Sequence, residues 1–220
     1  MWLQRFTETR ILRIAALLSL AVALAACGST PATQKNSSKA QISRGPDGTP
    51  LPRDIPPKAM TMFEQAVAVM AAGDAIDAEL RFQDFLLQFP DYPAAHVNLA
   101  IIFAERGDDT AAEGSLTDAL ILDPVFPPAL NQLGMLLRRQ GKFPEAQDAY
   151  LKAVAADPDY ALAHYNLGVL NELYLQRLDV ALQHFESYQA LSSDDKQVTK
   201  WIADLKRRIS RNQRAANVTE

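Results

Sequence analysis

Small residues recur in this chain at a fixed interval of 34 positions, and glycine, proline and alanine each follow that interval independently. The recurring positions are Gly73, Gly107 and Gly141, then Pro90, Pro124 and Pro158, then Ala78, Ala112 and Ala146. Three series with one period indicate an internal repeat, because composition alone places no residue type at a fixed spacing. A unit of this length holds two short amphipathic helices, which predicts an all-α array of helix pairs.

Each series occupies a position where a helix pair needs that type of residue. Glycine ends the first helix, where the backbone must turn left-handed. Proline stops the second helix, and alanine lets the second helix lie close to the first. Large core residues of the first helices are each followed by a small residue, which allows two helices to approach closely. These pairs are Leu99-Ala100, Leu133-Gly134 and Leu167-Gly168.

A helical period of 34 residues resembles the tetratricopeptide-repeat (TPR) family, and the resemblance covers about 135 residues of the 220. It implies a solenoid of about four helix-turn-helix repeats, at residues 59–92, 93–126, 127–160 and 161–195. The fourth repeat has one inserted residue near 175–178 and lacks the turn glycine and the closing proline. Apolar residues at helical spacing then predict a capping helix over 196–213, followed by a tail over 214–220.

Residues 1–26 have the organisation of an export signal. Basic residues open the segment, and an apolar run occupies residues 14–26. This run is about half of the roughly 20 residues that a transmembrane helix needs. Residues 24–27, Leu-Ala-Ala-Cys, resemble the bacterial lipobox, whose cysteine becomes the lipidated N-terminus of the mature protein. The alternative is an ordinary cleaved signal followed by an incidental cysteine.

Cys27 is the only cysteine of the chain, which excludes an internal disulfide and a thiolate metal cluster. The lipoprotein resemblance implies acyl chains on Cys27 that anchor the protein in a membrane. Gly28 follows, where many Gram-negative bacteria use aspartate to retain lipoproteins in the inner membrane. The outer membrane, with the protein facing the periplasm, is therefore the expected location. Residues 27–57 contain few large apolar residues and are expected to form a disordered tether.

Charge and motif content disfavour nucleic-acid binding and catalysis. Removal of residues 1–26 leaves 19 Lys and Arg against 25 Asp and Glu, and a chain of this charge is not expected to bind nucleic acid. The sequence has no Gly-rich phosphate loop, no His-x-x-x-His pair and no Gly-x-Ser-x-Gly motif. We interpret His96, His164 and His184 as packed or partly exposed structural residues. No enzymatic activity, metal, cofactor or small-molecule substrate is expected.

The TPR resemblance also implies a concave groove lined by the first helix of each repeat. The expected ligand is a peptide segment of another envelope protein, held by apolar contacts and by side-chain amides. The expected groove residues are Phe63, Val67, Val97, Asn98, Ile101, Asn131, Gln132, Met135, Arg138, Tyr165, Asn166 and Val169. The carboxylate clamp of some family members is not expected, because Phe63 and Val67 stand where that clamp has Lys and Asn. Alternatively, the tether, the capping helix or a second copy of the protein covers part of this surface.

A lipid-anchored repeat array of this kind is expected to act as a scaffold or adaptor for other envelope proteins. The resemblance leaves three processes open: pilus assembly, regulation of peptidoglycan hydrolases, and service as an accessory to TonB- and ExbB-type complexes. The alternative from another class is a structural protein that assembles with copies of itself into a homo-oligomer.

Replacement of the single acylation candidate tests the anchor. We expect Cys27→Ser to prevent lipidation and to leave an unprocessed or mislocalised protein, because no other cysteine can take its place. Growth with radiolabelled palmitate, followed by detergent fractionation, measures this outcome. Label retained by the Cys27→Ser protein would contradict the assignment.

Overall fold

A computed structural model of the chain describes residues 43–44, 50–51, 55–192 and 195–218. Nine helices follow one another in the described ranges, which confirms the predicted all-α fold. They are α1 (Pro57–Ala71), α2 (Ala75–Gln88), α3 (Pro93–Arg106), α4 (Asp109–Leu122), α5 (Pro127–Arg139), α6 (Phe143–Ala156), α7 (Ala161–Leu173), α8 (Leu178–Leu191) and α9 (Lys196–Val218). Helices α1 to α8 form four consecutive pairs, each joined by a turn of two to four residues.

Two short strands precede the first helix. Strand β1 (Ser43–Arg44) pairs antiparallel with strand β2 (Pro50–Leu51), and Ser43 lies opposite Leu51. Both strands fall within the segment predicted to be a disordered tether, residues 27–57, so these four residues are ordered where the sequence indicated coil. The predicted signal at 1–26 and the lipidation site at Cys27 lie outside the described residues.

The turns inside the repeats use the left-handed backbone that the glycine series predicted. Gly73, Gly107 and Gly141 have φ angles of 88°, 84° and 77°. In the fourth repeat the turn between α7 and α8 is longer by at least one residue, and Gln176 adopts a left-handed φ of 56°. The inserted residue therefore lies in a loop, and a non-glycine residue takes the left-handed position there.

Prolines define both ends of the repeats. Helices α2, α4 and α6 each end two residues before the proline of the series, because the residue preceding a proline is driven out of the helical conformation. Asp123 and Asp157, which stand before Pro124 and Pro158, are accordingly extended. At the other end, α1, α3 and α5 begin with a proline. Proline lacks a backbone N–H, and this costs nothing in the first turn because the N–H groups there have no acceptor within the helix.

Glycines in the first helices allow the closest contacts of the core. A Cβ atom on Gly134 would lie 2.5 Å from the ring of Tyr150, and one on Gly168 would lie 2.7 Å from the ring of Phe185. Both rings are fully buried. These contacts confirm that the residue after the core leucine must be small because a neighbouring helix packs directly on it.

Helix α9 closes the last repeat, as the sequence predicted. The Asp195 carboxylate accepts hydrogen bonds from the backbone N–H groups of Gln197 and Val198, at 2.9 and 3.2 Å, and so caps the start of the helix. The buried residues of this packing are Ala181, Phe185, Tyr188, Val198, Ile202 and Leu205. The helix continues to Val218, so residues 214–218 are helical and the predicted tail is corrected there. None of the helices in the described ranges has the length and apolar character needed to span a membrane.

Two glycine-to-alanine changes separate the turn requirement from general effects of adding a methyl group. A Cβ atom would meet nothing within 4 Å at Gly141 or at Gly114, which lies inside α4. We expect Gly141→Ala to lower the free energy of unfolding by about 1–2 kcal/mol, because alanine resists the left-handed conformation. Gly114→Ala should raise it by about 0.5–1 kcal/mol, since alanine favours a helix. Urea denaturation measures both, and shifts of the same sign would refute the assigned role of the turn glycine.

Candidate functional site

The first helices of the repeats line one side of the array. Helix α3 contacts α5, and α5 contacts α7, whereas the second helices of the described repeats do not pack on one another to a comparable extent. From α3 onwards, first helices thus lie closer together than second helices, which places α3, α5 and α7 on the inner side of the curve. All twelve predicted groove residues lie on these helices, α1, α3, α5 and α7.

The fifth position of each repeat packs against a neighbouring helix, and this corrects the predicted groove lining. Phe63 contacts the rings of Phe82 and Phe85 edge-to-face, at centroid distances of 5.7 and 5.6 Å. Val97 is 5% exposed and Asn131 is 1% exposed. The fourth residue in this series is Tyr165, whose ring contacts Phe185, Tyr188 and Trp201. These four side chains hold adjacent helices together, and Trp201 shows that the capping helix covers part of the predicted surface.

The predicted series of free amides is also largely used within the protein. The Asn166 side chain donates a hydrogen bond from Nδ2 to Oδ1 of Asn131 at 2.9 Å, and both residues are buried. Asn98, which is half-buried, donates from Nδ2 to the backbone oxygen of Ala94, also at 2.9 Å. Buried polar groups require hydrogen-bond partners. The bond between Asn131 and Asn166 meets this requirement for both side chains and joins α5 to α7. These two buried amides therefore link the third and fourth repeats and bond to each other.

Three of the remaining predicted residues lie together at an open cavity. Gln132, Met135 and Arg138 of α5 line a space of about 330 Å³, whose opposite wall is formed by small residues of α3 and α4. Those small wall residues are Ala100, Ala104 and Ala112. Ile101 and Val169 are half-buried against the core, and Val67 is 37% exposed on α1. The cavity is thus the part of the predicted groove with space for a ligand, and the binding role of its residues stays a prediction.

Arginines at the cavity differ in their partners. Arg139 donates a hydrogen bond to the backbone oxygen of Ala104 at 2.8 Å and forms an ion pair with Asp109. Arg138 forms no ion pair within the described residues, and its Nη1 atom is buried without a hydrogen-bond partner. Beside it, the buried hydroxyl of Tyr150 also lacks a partner. Burial raises the pKa of Tyr150, although the Arg138 charge opposes this shift, so the phenol stays protonated.

Two residues of this region were not identified from the sequence. Tyr174 lines the cavity and contacts the ring of Phe143 at a centroid distance of 4.7 Å. Tyr150 belongs to the buried core, and the position of its hydroxyl depends on tertiary packing. The sequence feature that could have identified Tyr174 is its position. It is a large aromatic residue 34 positions after Gln140 and directly before the insertion in the fourth repeat.

Comparison with known proteins identifies the family. The model described as "Tetratricopeptide repeat" matches residues 63–125 and 131–196, which is more than half of the chain. The chain belongs to the tetratricopeptide-repeat family. No curated protein sequence matches it.

Solved structures with a similar fold are also TPR proteins. PilF of Pseudomonas aeruginosa superposes with a TM-score of 0.63 at 22% identity, covering 70% of this chain and 69% of PilF. MamA of Desulfovibrio magneticus RS-1 gives a TM-score of 0.56 at 19% identity, covering 74% and 92%. The first TPR domain of Spaghetti (RPAP3), solved bound to the HSP90 peptide SRMEEVD, gives 0.50 at 19% identity, covering 54% and 95%. The structural similarity, at these low sequence identities, shows a shared fold.

Two histidines form a structural contact outside the groove. Nδ1 of His164 lies 3.1 Å from Nδ1 of His184, and Nε2 of His164 lies 3.1 Å from the backbone oxygen of Pro158. Because a carbonyl only accepts, His164 carries its proton on Nε2, and its Nδ1 accepts from His184. Burial, and to a smaller extent the neighbouring His164, lower the pKa of His184 to about 4. No cluster of His, Cys, Asp and Glu suited to a metal ion occurs in the described part of the chain.

The His184 contact predicts a loss of stability in mild acid. The pKa of His184 is depressed in the folded chain, so the unfolded chain binds the proton more readily once the pH falls below about 6.5. The free energy of unfolding should therefore decrease as the pH falls from about 6.5 towards 4. His184→Gln, which can still donate to His164, should reduce this dependence. Urea denaturation across this range compares the two proteins, and identical pH profiles would contradict the role of His184.

Proposed function

We propose that this TPR protein is an adaptor, anchored by lipid at Cys27 in the bacterial outer membrane and facing the periplasm. Its inner surface binds a segment of another envelope protein. The observation that carries the binding role is the open cavity beside α5, where the array leaves space between first helices that otherwise pack closely.

The composition of the cavity supports a peptide as its ligand. Alanines on α3 and α4 form one wall, and the Met135 and Gln132 side chains form the other. Apolar walls of this kind gain free energy by burying side chains, at about 25 cal/mol for each Å² removed from water. Gln132 offers both a donor and an acceptor to a peptide backbone. A TPR domain of similar fold has been solved with a bound peptide, which supports the same use of this array.

The sequence before Cys27 supports the location. A basic start, an apolar run and the Leu-Ala-Ala-Cys segment occur in the order that lipoprotein export requires. Gly28 favours transfer to the outer membrane. Anchoring through several acyl chains would hold the TPR array at the membrane while residues of the tether let it reach a partner. Pilus assembly, regulation of peptidoglycan hydrolases and accessory function in TonB- and ExbB-type complexes are the processes in which such an adaptor serves.

Site-specific photocrosslinking in intact cells tests the adaptor and identifies its partner. A benzoylphenylalanine at position 132 should form an adduct with another envelope protein, because Gln132 lines the cavity. The matched control is the same group at position 87 on α2, where Leu87 is 84% exposed. We expect no adduct at position 87, and mass spectrometry of the position-132 adduct names the partner.

Two outcomes would overturn the proposal. Adducts confined to position 87 would place the binding surface on the second helices. An adduct at position 132 with twice the mass of this chain would support the structural alternative, in which the protein assembles with copies of itself.

A further inference from the structure

The cavity beside α5 carries positive charge in a protein whose formal net charge is −4. Two arginines line it, Arg138 and Arg139, and no Asp or Glu does. Arg139 is neutralised by Asp109 and also bonds to the backbone of α3. The Arg138 guanidinium is therefore the uncompensated charge of the cavity.

Two arginines elsewhere in the described residues have carboxylate partners. Arg106 pairs with Glu79 at 2.7 Å, and Arg208 pairs with Glu172 at 2.5 Å. Each joins two helices through an ion pair. Arg138 has no carboxylate in the described residues, although its Nη1 is out of contact with water. A guanidinium that has lost part of its hydration without gaining a partner is destabilised. An anion at its accessible edge would offset this loss of hydration by forming an ion pair.

No carboxylate of the described residues pairs with Arg138, and its polar neighbours among these residues include the Tyr150 phenol. The Tyr150 ring lies beneath Gly134, one helical turn before Arg138, and its buried hydroxyl has no hydrogen-bond partner. Tyr174 lines the same cavity. The Tyr150 phenol, whose pKa is raised by burial, carries no negative charge. The site thus presents a cation for which the described residues supply no counter-charge.

We propose that the segment bound by this adaptor places an Asp or Glu side chain in the cavity, where its carboxylate pairs with Arg138. This inference rests on the proposed peptide-binding function and adds the chemistry of one ligand residue. A guanidinium binds a carboxylate through two parallel N–H bonds, which fixes orientation as well as charge. A phosphate is a poorer match, because its second charge would require a second free cation and Arg139 is already paired.

The position of the cavity indicates a side chain and not the end of a chain. Its walls come from the second and third repeats, and Tyr174 of the fourth repeat also lines it. A segment that crosses these three repeats continues on both sides of Arg138. The residue opposite Arg138 is then internal to the segment, and its side chain supplies the carboxylate.

Peptide selection on the full chain in detergent tests the inference. The probe is a displayed library of random twelve-residue peptides, selected on the wild type, on Arg138→Gln and on Arg106→Gln. The last is a matched control, since it removes an arginine whose partner is Glu79, outside the cavity. We expect wild-type selection to yield one acidic residue at a fixed spacing from apolar residues. A capped synthetic peptide of that sequence should bind about tenfold or more weakly to Arg138→Gln, and unchanged to Arg106→Gln.

Changes in the peptide decide the matter even if Arg138→Gln fails to fold. Replacing the acidic residue by Gln or Asn should weaken binding to the wild type about tenfold, whereas amidation of the peptide C-terminus should have no effect. Equal affinity of the acidic and amide peptides would overturn the inference, as would dependence on a free C-terminus. Selected peptides without a common acid would refute only this inference. Failure to select any peptide would refute the proposed function as well.

Discussion

The structure depends on the direct contact between a glycine of the first helix and an aromatic ring of the second. At Gly134 and Gly168 there is no room for a methyl group, since the rings of Tyr150 and Phe185 occupy that space. Such close packing brings many atoms to the distance where dispersion is most favourable. It also sets the separation of the two helices in a pair. Where each pair lies determines where the next first helix can pack, so this contact sets the geometry of the third and fourth repeats, while Ala66 and Ala100 stand at the same position in the first two.

Close packing of the first helices determines which side chains a ligand can reach. Residues at the fifth position of each repeat are taken up by the neighbouring helices, and the Asn131 and Asn166 amides satisfy each other. Open space remains where alanines of α3 and α4 face α5. The candidate surface is therefore smaller than the full series of groove positions. It is centred on Gln132, Met135 and Arg138 of the third repeat.

In the proposed function, charge would give that surface its specificity. The ion pairs of Arg106, Arg139 and Arg208 connect helices and leave those arginines neutralised. Arg138 stands beside the protonated phenol of Tyr150 and has no such partner in the described ranges. Apolar walls would supply most of the affinity for a peptide, and a single cation would set its register. A TPR array of generic shape could in this way favour one class of segment.

Sequence alone determined the repeat, its turns and its ends, because these depend on backbone restrictions of single residues. Gly73, Gly107 and Gly141 needed a left-handed φ, and the prolines could not continue a helix. It could not determine which first-helix residues stay open, because that depends on contacts between residues about one period apart. The bond between Asn131 and Asn166, the cover of Trp201 on Tyr165 and the unpaired charge of Arg138 were decided by tertiary packing. A period assigns each residue to a face, but only the neighbouring helix decides whether that face is filled.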